Sequence, residues 1–381
     1  MKIIKLDNTT DKKKLFEIIG VTNEGAKILE DKAEAHLIYL KDIKNPAAII
    51  LKQEALSVGA DLAVHRDVIL CKNEVSDAVL IATTKQLKLL SKKCLAQPFG
   101  LRQFANDLKE FLYDIPKEIK LMGVINANDD SFFSGSRFKG NSALSRIEKF
   151  ISEGASIIDI GGVSSRPGSE AVSEEEELSR IKPIVDAISE AKLYEKAEFS
   201  LDSYSPLCCE YALSRGFSII NDITALENDE VAKVVSKYGA TVVLMHKKGT
   251  PKDMQKSPSY ENVLDEVDEF FQSRIQKAKS FGIEKIVLDV GIGFGKTLEH
   301  NLSLIKHHRH FLHFGYPLLV GASRKSVIDM ISPSSVEDRL SGTLAIHLRA
   351  VQNGASILRV HDVKEHMQAL RVSQKIDEVI L

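Results

Sequence analysis

From Glu118 to the end of the chain, short apolar runs alternate with longer stretches in which apolar residues recur at helical spacing. Apolar runs of about four to eight residues, bounded by turn residues, are typical of buried strands, and a period of about 3.6 residues is typical of helices. The pattern predicts eight strands in this region. They are Lys120–Asn126, Ser156–Gly162, Glu198–Asp202, Ser218–Ile223, Thr241–His246, Lys285–Gly291, Pro317–Gly321 and Ser356–His361.

A helix is predicted after each strand, so the region consists of repeated strand–helix units. The predicted helices are Ser142–Glu153, Ser173–Lys192, one after Pro206, Asp229–Tyr238, Glu261–Phe281, His300–Leu312, Leu340–Asn353 and Val363–Ile380. Polar residues end most of the strands, as Asn126, Asp202, Asp289 and Arg359 illustrate. A (β/α)8 barrel has roughly 250 residues and carries its active site at the carboxyl ends of its strands. An open doubly wound sheet would not usually supply eight such strands.

Residues 1–117 have a different and less regular pattern. Helices are predicted at Asp11–Ile19, Pro46–Ser57, Thr84–Cys94 and Phe99–Tyr113, strands at His36–Tyr39 and Ala78–Thr83, and a strand pair within Leu62–Cys71. His65 and Arg66 are interpreted as a surface turn, and the segment shows no paired carboxylates or glycine-rich loop of a catalytic kind. The sequence therefore predicts an α/β protein in which a small N-terminal α/β domain, residues 1–117, of unknown role precedes a (β/α)8 TIM barrel, residues 118–381.

Composition restricts the partners and the compartment. The 51 basic and 53 acidic side chains give a formal net charge of -2, so neither nucleic acid nor an anionic membrane is expected as a partner. The amino terminus lacks the apolar core of a signal peptide, and no apolar run approaches the length of a membrane span. The four cysteines, which are Cys71, Cys94, Cys208 and Cys209, follow no metal-binding or disulfide spacing. We therefore expect reduced thiols and a cytoplasmic protein.

The last predicted strand ends in a pair of cationic or hydrogen-bonding side chains, Arg359 and His361. Residues two apart in a strand point to the same side, so both side chains are expected to project together. A guanidinium fork beside an imidazole is suited to binding an anion. A second histidine pair, His310 and His313, is one helical turn apart and could bind a metal, but we interpret it as part of a solvated helix face.

Nine short motifs occur in order along the predicted barrel, and together they resemble those of the dihydropteroate synthases. They are Leu121–Asn126 with Asp130-Ser131-Phe132, Asp159–Gly162 with Ser165–Gly168, Leu201–Ser203, Ile220–Asp222, Leu244–His246 with Gly249–Pro251, Asp289 with Gly293–Lys296, Gly321–Ser326, Arg339–Gly342 and Arg359–Asp362. The resemblance covers residues 118–381 and leaves the N-terminal segment outside it. It implies the condensation of 6-hydroxymethyl-7,8-dihydropterin pyrophosphate with 4-aminobenzoate, in which pyrophosphate leaves.

The resemblance also implies roles for individual residues. The pterin ring would be bound by Asp202, Asn221, Met245, Asp289, Phe294 and Lys325. The hydrogen-bonding edge of a pterin carries amino and ring N–H donors and a carbonyl, which suits a carboxylate such as Asp289, an amide such as Asn221 and a point charge such as Lys325. Asp202, Lys325, Arg359 and His361 would be catalytic, with Asp202 stabilising the positive charge that develops on the ring.

The remaining substrate groups are assigned in the same way. Pyrophosphate would be bound by Asn126, Ser165, Arg359 and His361, with Mg²⁺ on Asn126, because Mg²⁺ commonly bridges substrate phosphates through oxygen ligands. The pocket for 4-aminobenzoate would consist of Ser165, Arg166, Pro167, Phe294, Ser323 and Lys325. The family further implies a homodimer and a target of sulfonamides, while the susceptibility of this chain to them stays open.

Two other functions fit parts of the pattern. A methyltetrahydrofolate methyltransferase shares the barrel and the pterin-binding Asp and Asn, but it would not need the Ser323-Arg324-Lys325 run. A pterin-binding protein without catalysis would not need the anion site at Arg359. The segment Gly291–Thr297 does not have the spacing of a phosphate-binding P-loop.

Overall fold

The structure is a computed structural model that describes residues 2–7, 10–113, 115–127, 141–163, 172–249, 254 and 257–380. The chain divides into two compact units. The first comprises Met1–Asp114 and Ser373–Leu381, and the second comprises Ile115–Val372. The first boundary lies three residues before the predicted one at residue 117, and the end of the last helix is grouped with the first unit.

The first unit is a small α/β structure around an antiparallel sheet. Its strands are β1 Ala35–Lys44, β2 Asp61–Val64 and β3 Val75–Thr83, in the order β1-β3-β2. Its helices are α1 Lys12–Ile19, α2 Asn23–Ala33, α3 Asn45–Ser57, α4 Thr84–Cys94 and α5 Leu101–Glu110. One face of the sheet and the apolar sides of α3, α4 and α5 share a core that includes Leu51, Leu80, Leu90 and Leu108.

The predicted strand pair within Leu62–Cys71 is wrong. Only Asp61–Val64 is a strand, and Val68–Leu70 forms a short 3₁₀ helix. The cause is a local turn in which the Asp67 N–H donates to Nδ1 of His65 at 3.2 Å and the Val68 N–H donates to the carbonyl of His65 at 3.1 Å. His65 and Arg66 are both exposed, which agrees with their interpretation as a surface turn.

The second unit is a closed eight-stranded parallel barrel, as the strand pattern predicts. Its strands are β4 Lys120–Asn126, β5 Ile157–Gly161, β6 Glu198–Asp202, β7 Ile219–Asp222, β8 Thr241–Met245, β9 Ile286–Asp289, β10 Leu318–Val320 and β11 Ile357–Val360. They pair in sequence order, and β11 closes the barrel against β4. The helices of the unit are α6 Asn141–Glu153, α7 Glu174–Glu190, α8 Pro206–Leu213, α9 Asp229–Tyr238, α10 Val263–Ser280, α11 Leu298–Lys306, α12 Ser326–Ile331, α13 Leu340–Gln352 and α14 Val363–Glu378.

An apolar layer fills the middle of the barrel. It consists of Met122, Ile157, Ile219, Val243, Val287, Leu319 and Ile357, one from each of seven strands. Because side chains alternate along a strand, residues two positions further along point into the same interior. On four of these strands the next inward residue is polar, and these residues are Asp159, Asn221, Asp289 and Arg359. The apolar layer therefore forms the floor of a polar chamber at the carboxyl end of the barrel.

The predicted helix His300–Leu312 is only partly correct. Helix α11 ends at Lys306, and His308–Phe314 continues as a 3₁₀ helix. The side-chain amide of Asn353 donates to the carbonyls of Ile305 and Lys306 at 2.9 and 3.1 Å. These carbonyls are therefore satisfied without a further turn of α-helix. Within the described part of the chain, none of the helices combines the length and the apolarity that a bilayer crossing requires.

Candidate active site

An arginine held between two carboxylates occupies the polar chamber. Nε of Arg359 donates to Oδ2 of Asp159 at 2.6 Å, and Nη2 donates to Oδ2 of Asp202 at 2.7 Å. The amide of Asn221 donates to the same Asp159 oxygen at 3.2 Å. Burial lowers the pKa of Arg359, but the two carboxylates outweigh burial and raise the pKa above its ordinary value. The guanidinium thus joins β11 to β5 and β6 and remains charged.

Two buried carboxyl groups lie beside Arg359. Asp159 is fully buried and the side chain of Asp202 is 10% exposed. Burial raises the pKa of Asp202, Arg359 opposes this effect and the charge of Asp159 adds to it, and together they place the pKa at about 7. Two carboxylates on one guanidinium make this part of the site suitable for a ligand that becomes positively charged.

Asp289 and Lys325 form a second charged pair on the other side of the chamber. Burial raises the pKa of Asp289, and the positive charge of Lys325 lowers it. Oδ1 of Asp289 accepts the N–H of Gly291 at 2.8 Å, which fixes the orientation of the carboxylate. Lys325 donates to the carbonyl of Ile292, and its ammonium lies 4.5 Å from the centre of the Phe294 ring. A carboxylate, an ammonium and an aromatic face are thereby arranged around one space.

The loop after β9, residues 290–296, is held by a buried ammonium. Nζ of Lys296 contacts Nδ1 of His246 at 2.9 Å and donates to the carbonyls of Gly291 and Phe294, each at 3.0 Å. Burial lowers the pKa of Lys296 to about 7 and lowers that of His246 to about 2. A Cβ on Gly291, whose φ is +65°, would lie 1.9 Å from the carbonyl oxygen of His246. This close approach requires glycine, and it fixes the loop that carries Phe294.

Ser323 and His361 meet across the ends of β10 and β11. Nδ1 of His361 lies 2.9 Å from Oγ of Ser323, and the His361 N–H donates to the same oxygen at 3.4 Å. Arg324, which follows Ser323, donates from Nε and Nη2 to the two oxygens of Asp362 at 3.0 and 2.8 Å. The two loops that carry Ser323, Lys325 and His361 are therefore joined by an ion pair and by shared hydrogen bonds.

Two buried histidines, hydrogen-bonded to each other, also connect the loops that follow β10 and β11. The N–H of Ala322 donates to Nε2 of His347 at 3.1 Å, and Nδ1 of His347 lies 2.8 Å from Nε2 of His366. Nδ1 of His366 lies 2.6 Å from the carbonyl of Asp362. Because an N–H can only donate and a carbonyl can only accept, both rings must be neutral with the proton on Nδ1. Burial lowers the pKa of each histidine, which favours this neutral form.

Asn126 lies at the mouth of the chamber. Its Oδ1 and Oδ2 of Asp202 are 3.6 and 3.8 Å from the position that a Cβ on Gly161 would occupy. Glycine therefore keeps open the space between two oxygen donors, which are the kind of ligand that Mg²⁺ prefers. Ser165, Arg166 and Pro167, which the sequence assigns to the substrate pockets, lie outside the described residues.

Most of the predicted site residues that the structure describes lie in or beside the chamber, and Arg359 makes contacts with two carboxyl groups that the sequence did not predict. Arg359 lies with Asp202 and Asn221, Asp289 with Lys325 and Phe294, and His361 with Ser323. The Nε–Nη2 edge of Arg359 is already used by carboxylates, so a bidentate phosphate contact could form only at the other edge of the guanidinium. The buried side chain of Met245 ends β8 in the same layer.

Sequence reasoning assigned no role to Asp159, Lys296, His347 or His366. A signal for Asp159 is present, since it is a charged residue inside an otherwise apolar strand, Ile157–Gly161. His347 and His366 each fall on the buried face of a helix, with Thr343 and Ala350 in α13 and with Val363 and Leu370 in α14. Histidines at apolar helical positions could have indicated a buried pair, but their partner could not be read from spacing.

Comparisons with known proteins agree with this geometry. The model of the family described as pterin binding enzyme matches residues 122–361. A dihydropteroate synthase of Escherichia coli is 43% identical over 255 residues, which cover 66% of this chain and 89% of that protein. A protein of Helicobacter pylori, named bifunctional dihydropteroate synthase/dihydropteroate reductase, is 43% identical over 377 residues, which cover 99% of each chain.

Solved structures show the same barrel. The dihydropteroate synthase of Yersinia pestis, in a complex with a sulfonamide drug, has a TM-score of 0.64 and 37% identity, and the match covers 69% of this chain and 95% of that one. The fold and the chamber define a barrel enzyme of the pterin-binding class. The chain belongs to the dihydropteroate synthases, which are enzymes of folate biosynthesis.

We expect the pair His347–His366 to control the position of Ser323 and Lys325. His347→Leu removes the acceptor of the Ala322 N–H and leaves that buried donor unpaired, which typically costs about 1–3 kcal/mol. The synthase kcat/KM at pH 7 should fall about tenfold, and a His347→Gln variant, which keeps one donor and one acceptor, should lose less. Steady-state kinetics measure both effects, with the exposed His307→Leu as the control. Equal kcat/KM in His347→Leu and the parent protein would contradict this role.

Proposed function

We propose that this chain condenses 6-hydroxymethyl-7,8-dihydropterin pyrophosphate with 4-aminobenzoate to give 7,8-dihydropteroate and pyrophosphate. The observation that carries the proposal is the pair of carboxyl groups, Asp159 and Asp202, that both contact the guanidinium of Arg359 inside the barrel. Membership of the family supports the same reaction. A methyltetrahydrofolate methyltransferase transfers no pyrophosphate and gives no reason for an ordered Ser323-Arg324-Lys325 run beside His361.

The pterin ring would lie above the apolar floor, between the two charged pairs. Asp289 would accept hydrogen bonds from the amino group and a ring N–H, since one carboxylate can accept several donors besides the N–H of Gly291. Asn221 would contribute one donor and one acceptor, and Lys325 would donate to the ring carbonyl. Met245 would pack against the face of the ring. Each of these groups is half-buried or buried, so an unmatched ligand would leave polar atoms without partners.

The balance of charges favours departure of pyrophosphate before the amine attacks. The aromatic amine is a weak nucleophile, and the sequence offers no obvious base dedicated to it among the residues assigned to the site. As the C–O bond ionises, positive charge develops on the pterin methylene group and ring. Asp202, together with Asp159, would stabilise that charge, and this kind of prearranged electrostatic stabilisation is usually the largest catalytic contribution. The amine then forms the C–N bond and releases a proton.

To bind the leaving pyrophosphate, the site needs positive charge and hydrogen-bond donors. His361 and the free edge of Arg359 would supply donors, together with Ser165. The oxygens of Asn126 and Asp202 beside Gly161 fit Mg²⁺, which would neutralise phosphate charge when it is bound. The 4-aminobenzoate pocket would combine Phe294, Ser323 and Lys325 with Ser165, Arg166 and Pro167. We also propose, from the family alone, a cytoplasmic homodimer and competition of sulfonamides with 4-aminobenzoate.

The Asp289→Ala variant tests the pterin pocket. It should leave the ring's donors without an acceptor in a buried site, which costs about 1–3 kcal/mol and corresponds to a loss of about 5- to 150-fold in affinity. Calorimetry with the free pterin measures that loss, and a turnover assay with both substrates measures the reaction. Asp229→Ala, at a side chain that is 61% exposed on α9, is the control. Unchanged pterin affinity in Asp289→Ala would refute the assignment.

The charge of Lys325 predicts a pH dependence. Burial lowers the pKa of Lys325 to about 8, although Asp289 raises it. A lysine loses its proton as pH rises, so kcat/KM, which reports the free enzyme, should decline through about pH 8. In Lys325→Arg the guanidinium stays charged, so the decline should move to higher pH while the maximum rate falls. A pH profile of kcat/KM measures this, and an alkaline limb that is the same in both proteins would exclude Lys325 as its origin.

We further propose that the chain reduces dihydropteroate, because the relative named as a synthase and reductase matches almost the whole chain. The reaction would add a hydride to the carbon of the ring C=N bond and a proton to its nitrogen, with a reduced nicotinamide or flavin as the donor. The Escherichia coli synthase matches only 66% of the chain, so the first unit is available for this second activity. A relative in Halobacterium salinarum, named as a probable folylpolyglutamate synthase/dihydropteroate synthase, also matches 97% of the chain. The extra length alone therefore does not identify the reductase.

An open surface pocket of the first unit is the candidate place for the hydride donor. Its volume is about 440 Å³, and its lining includes Lys32, Lys85 and Thr83 at the start of α4. Lys85→Glu should lower dihydropteroate reduction at least tenfold by repelling an anionic cofactor, while synthase turnover stays unchanged. Lys92→Glu, at an exposed position on the same helix, is the control. Reduction that is absent from the parent protein with nicotinamide and flavin donors would refute the second activity and leave the first intact.

A further inference from the structure

Two histidine side chains outside the catalytic chamber project to the same side because both residues lie in a 3₁₀ helix. His310 and His313 lie in the 3₁₀ segment His308–Phe314. In a 3₁₀ helix, with about three residues per turn, side chains three positions apart are eclipsed. The two imidazole rings accordingly lie one above the other, with centroids 5.2 Å apart. The solvated helix face predicted from the sequence is wrong here, since the side chain of His313 is only 11% exposed.

A carboxylate from another helix meets both rings. Oδ1 of Asp268, on α10, lies 3.0 Å from Nε2 of His310 and 2.6 Å from Nε2 of His313. One potential ligand atom from each of the three residues lies within 4.8 Å of the other two. The side chains of Asp268 and His310 are 28% and 32% exposed, so an ion can reach the group from solvent.

The positions of these side chains are fixed by packing beneath them. Phe271, one turn after Asp268 on α10, is buried edge-to-face against Phe311 with ring centroids 5.6 Å apart. The ring of His310 packs against Phe311 at 5.1 Å, and that of His313 against Phe314 at 4.0 Å. The frame that carries the three polar groups is therefore set by an apolar contact and does not depend on an ion.

We propose that Asp268, His310 and His313 form a binding site for one divalent ion of the Zn²⁺ class, which includes Co²⁺ and Ni²⁺. Two imidazoles and one carboxylate are a donor set that such ions favour, and Mg²⁺ and Ca²⁺ do not. Ligand atoms on a tetrahedral Zn²⁺ with bonds of about 2.0–2.1 Å lie roughly 3.3 Å apart. The present separations of 2.6 and 3.0 Å need to open by less than about 1 Å, which small side-chain rotations supply. Water would complete the coordination.

The protonation of the group suits this role. An ionised carboxylate and two neutral imidazoles are the forms of these groups that bind such an ion. Both Nε2 atoms must present a lone pair to the ion, so the N–H bonds now directed at Asp268 would be replaced by bonds to the metal, with the ring proton on Nδ1. Bound in this way, the ion would connect α10 to the segment after α11.

Isothermal titration of the untagged full-length protein, freed of metal with a chelator, tests the site directly. With Zn²⁺ we expect one site per chain, and with Co²⁺ we expect visible absorption bands of a nitrogen-ligated, four-coordinate ion. His313→Ala and Asp268→Asn should each weaken Zn²⁺ binding at least tenfold, and Asp268→Asn preserves a hydrogen-bond acceptor in case the alanine variant is unstable. His307→Ala, at an exposed histidine of the same stretch, should bind Zn²⁺ as tightly as the parent protein.

Thermal unfolding gives an independent measurement. An ion that binds the folded state raises Tm with its concentration, so Zn²⁺ should raise the Tm of the parent and of His307→Ala but not that of Asp268→Asn. An equal loss of Zn²⁺ affinity in His307→Ala and His313→Ala would show general binding to surface histidines and would overturn the proposal. So would Zn²⁺ binding that Asp268→Asn leaves unchanged.

Discussion

The bond between Arg359 and its two carboxylates is the interaction on which the rest of the site depends. It joins three strands, β5, β6 and β11, across the interior of the barrel, and Asn221 adds a fourth strand through Asp159. Removing one partner from a buried ion pair leaves an uncompensated charge, which generally costs about 3–5 kcal/mol. The same arrangement keeps two carboxyl groups beside the position proposed for the pterin ring. Stability of the chamber and its chemistry therefore rest on the same three side chains.

The loops above that chamber are attached by buried polar groups and not by apolar packing alone. Lys296 holds the loop after β9, and the histidine pair and the Arg324–Asp362 ion pair hold the loops after β10 and β11. Buried networks of this kind specify one arrangement when every member is satisfied, because an unsatisfied group in a low dielectric is costly. Phe294, Ser323 and Lys325 are placed by these attachments, so the shape of the pocket follows from residues that need never touch a substrate.

The two units differ in how clearly their structure and their relatives indicate a function. The barrel has a polar layer above an apolar floor, and the relatives that match it alone are synthases. The first unit has its own apolar core, formed by a three-stranded sheet and its helices. Its sequence has no paired carboxylates or glycine-rich loop of a catalytic kind, so the sequence alone assigned no chemistry to it. Only the extent of the match to a bifunctional relative connects it with an activity.

The sequence by itself determined the eight strands, the polar residues at their ends and the family, because alternation along a strand and the motifs after it are local features. It did not determine which of those residues bind each other. Asp159 and Arg359 are 200 positions apart, and only closure of the barrel brings them to 2.6 Å. The tertiary structure likewise decided that His347 meets His366, that Asn353 donates to a carbonyl in the last turn of α11, and that His310 and His313 lie beside Asp268. These contacts depend on distances between separate elements, which periodicity does not encode.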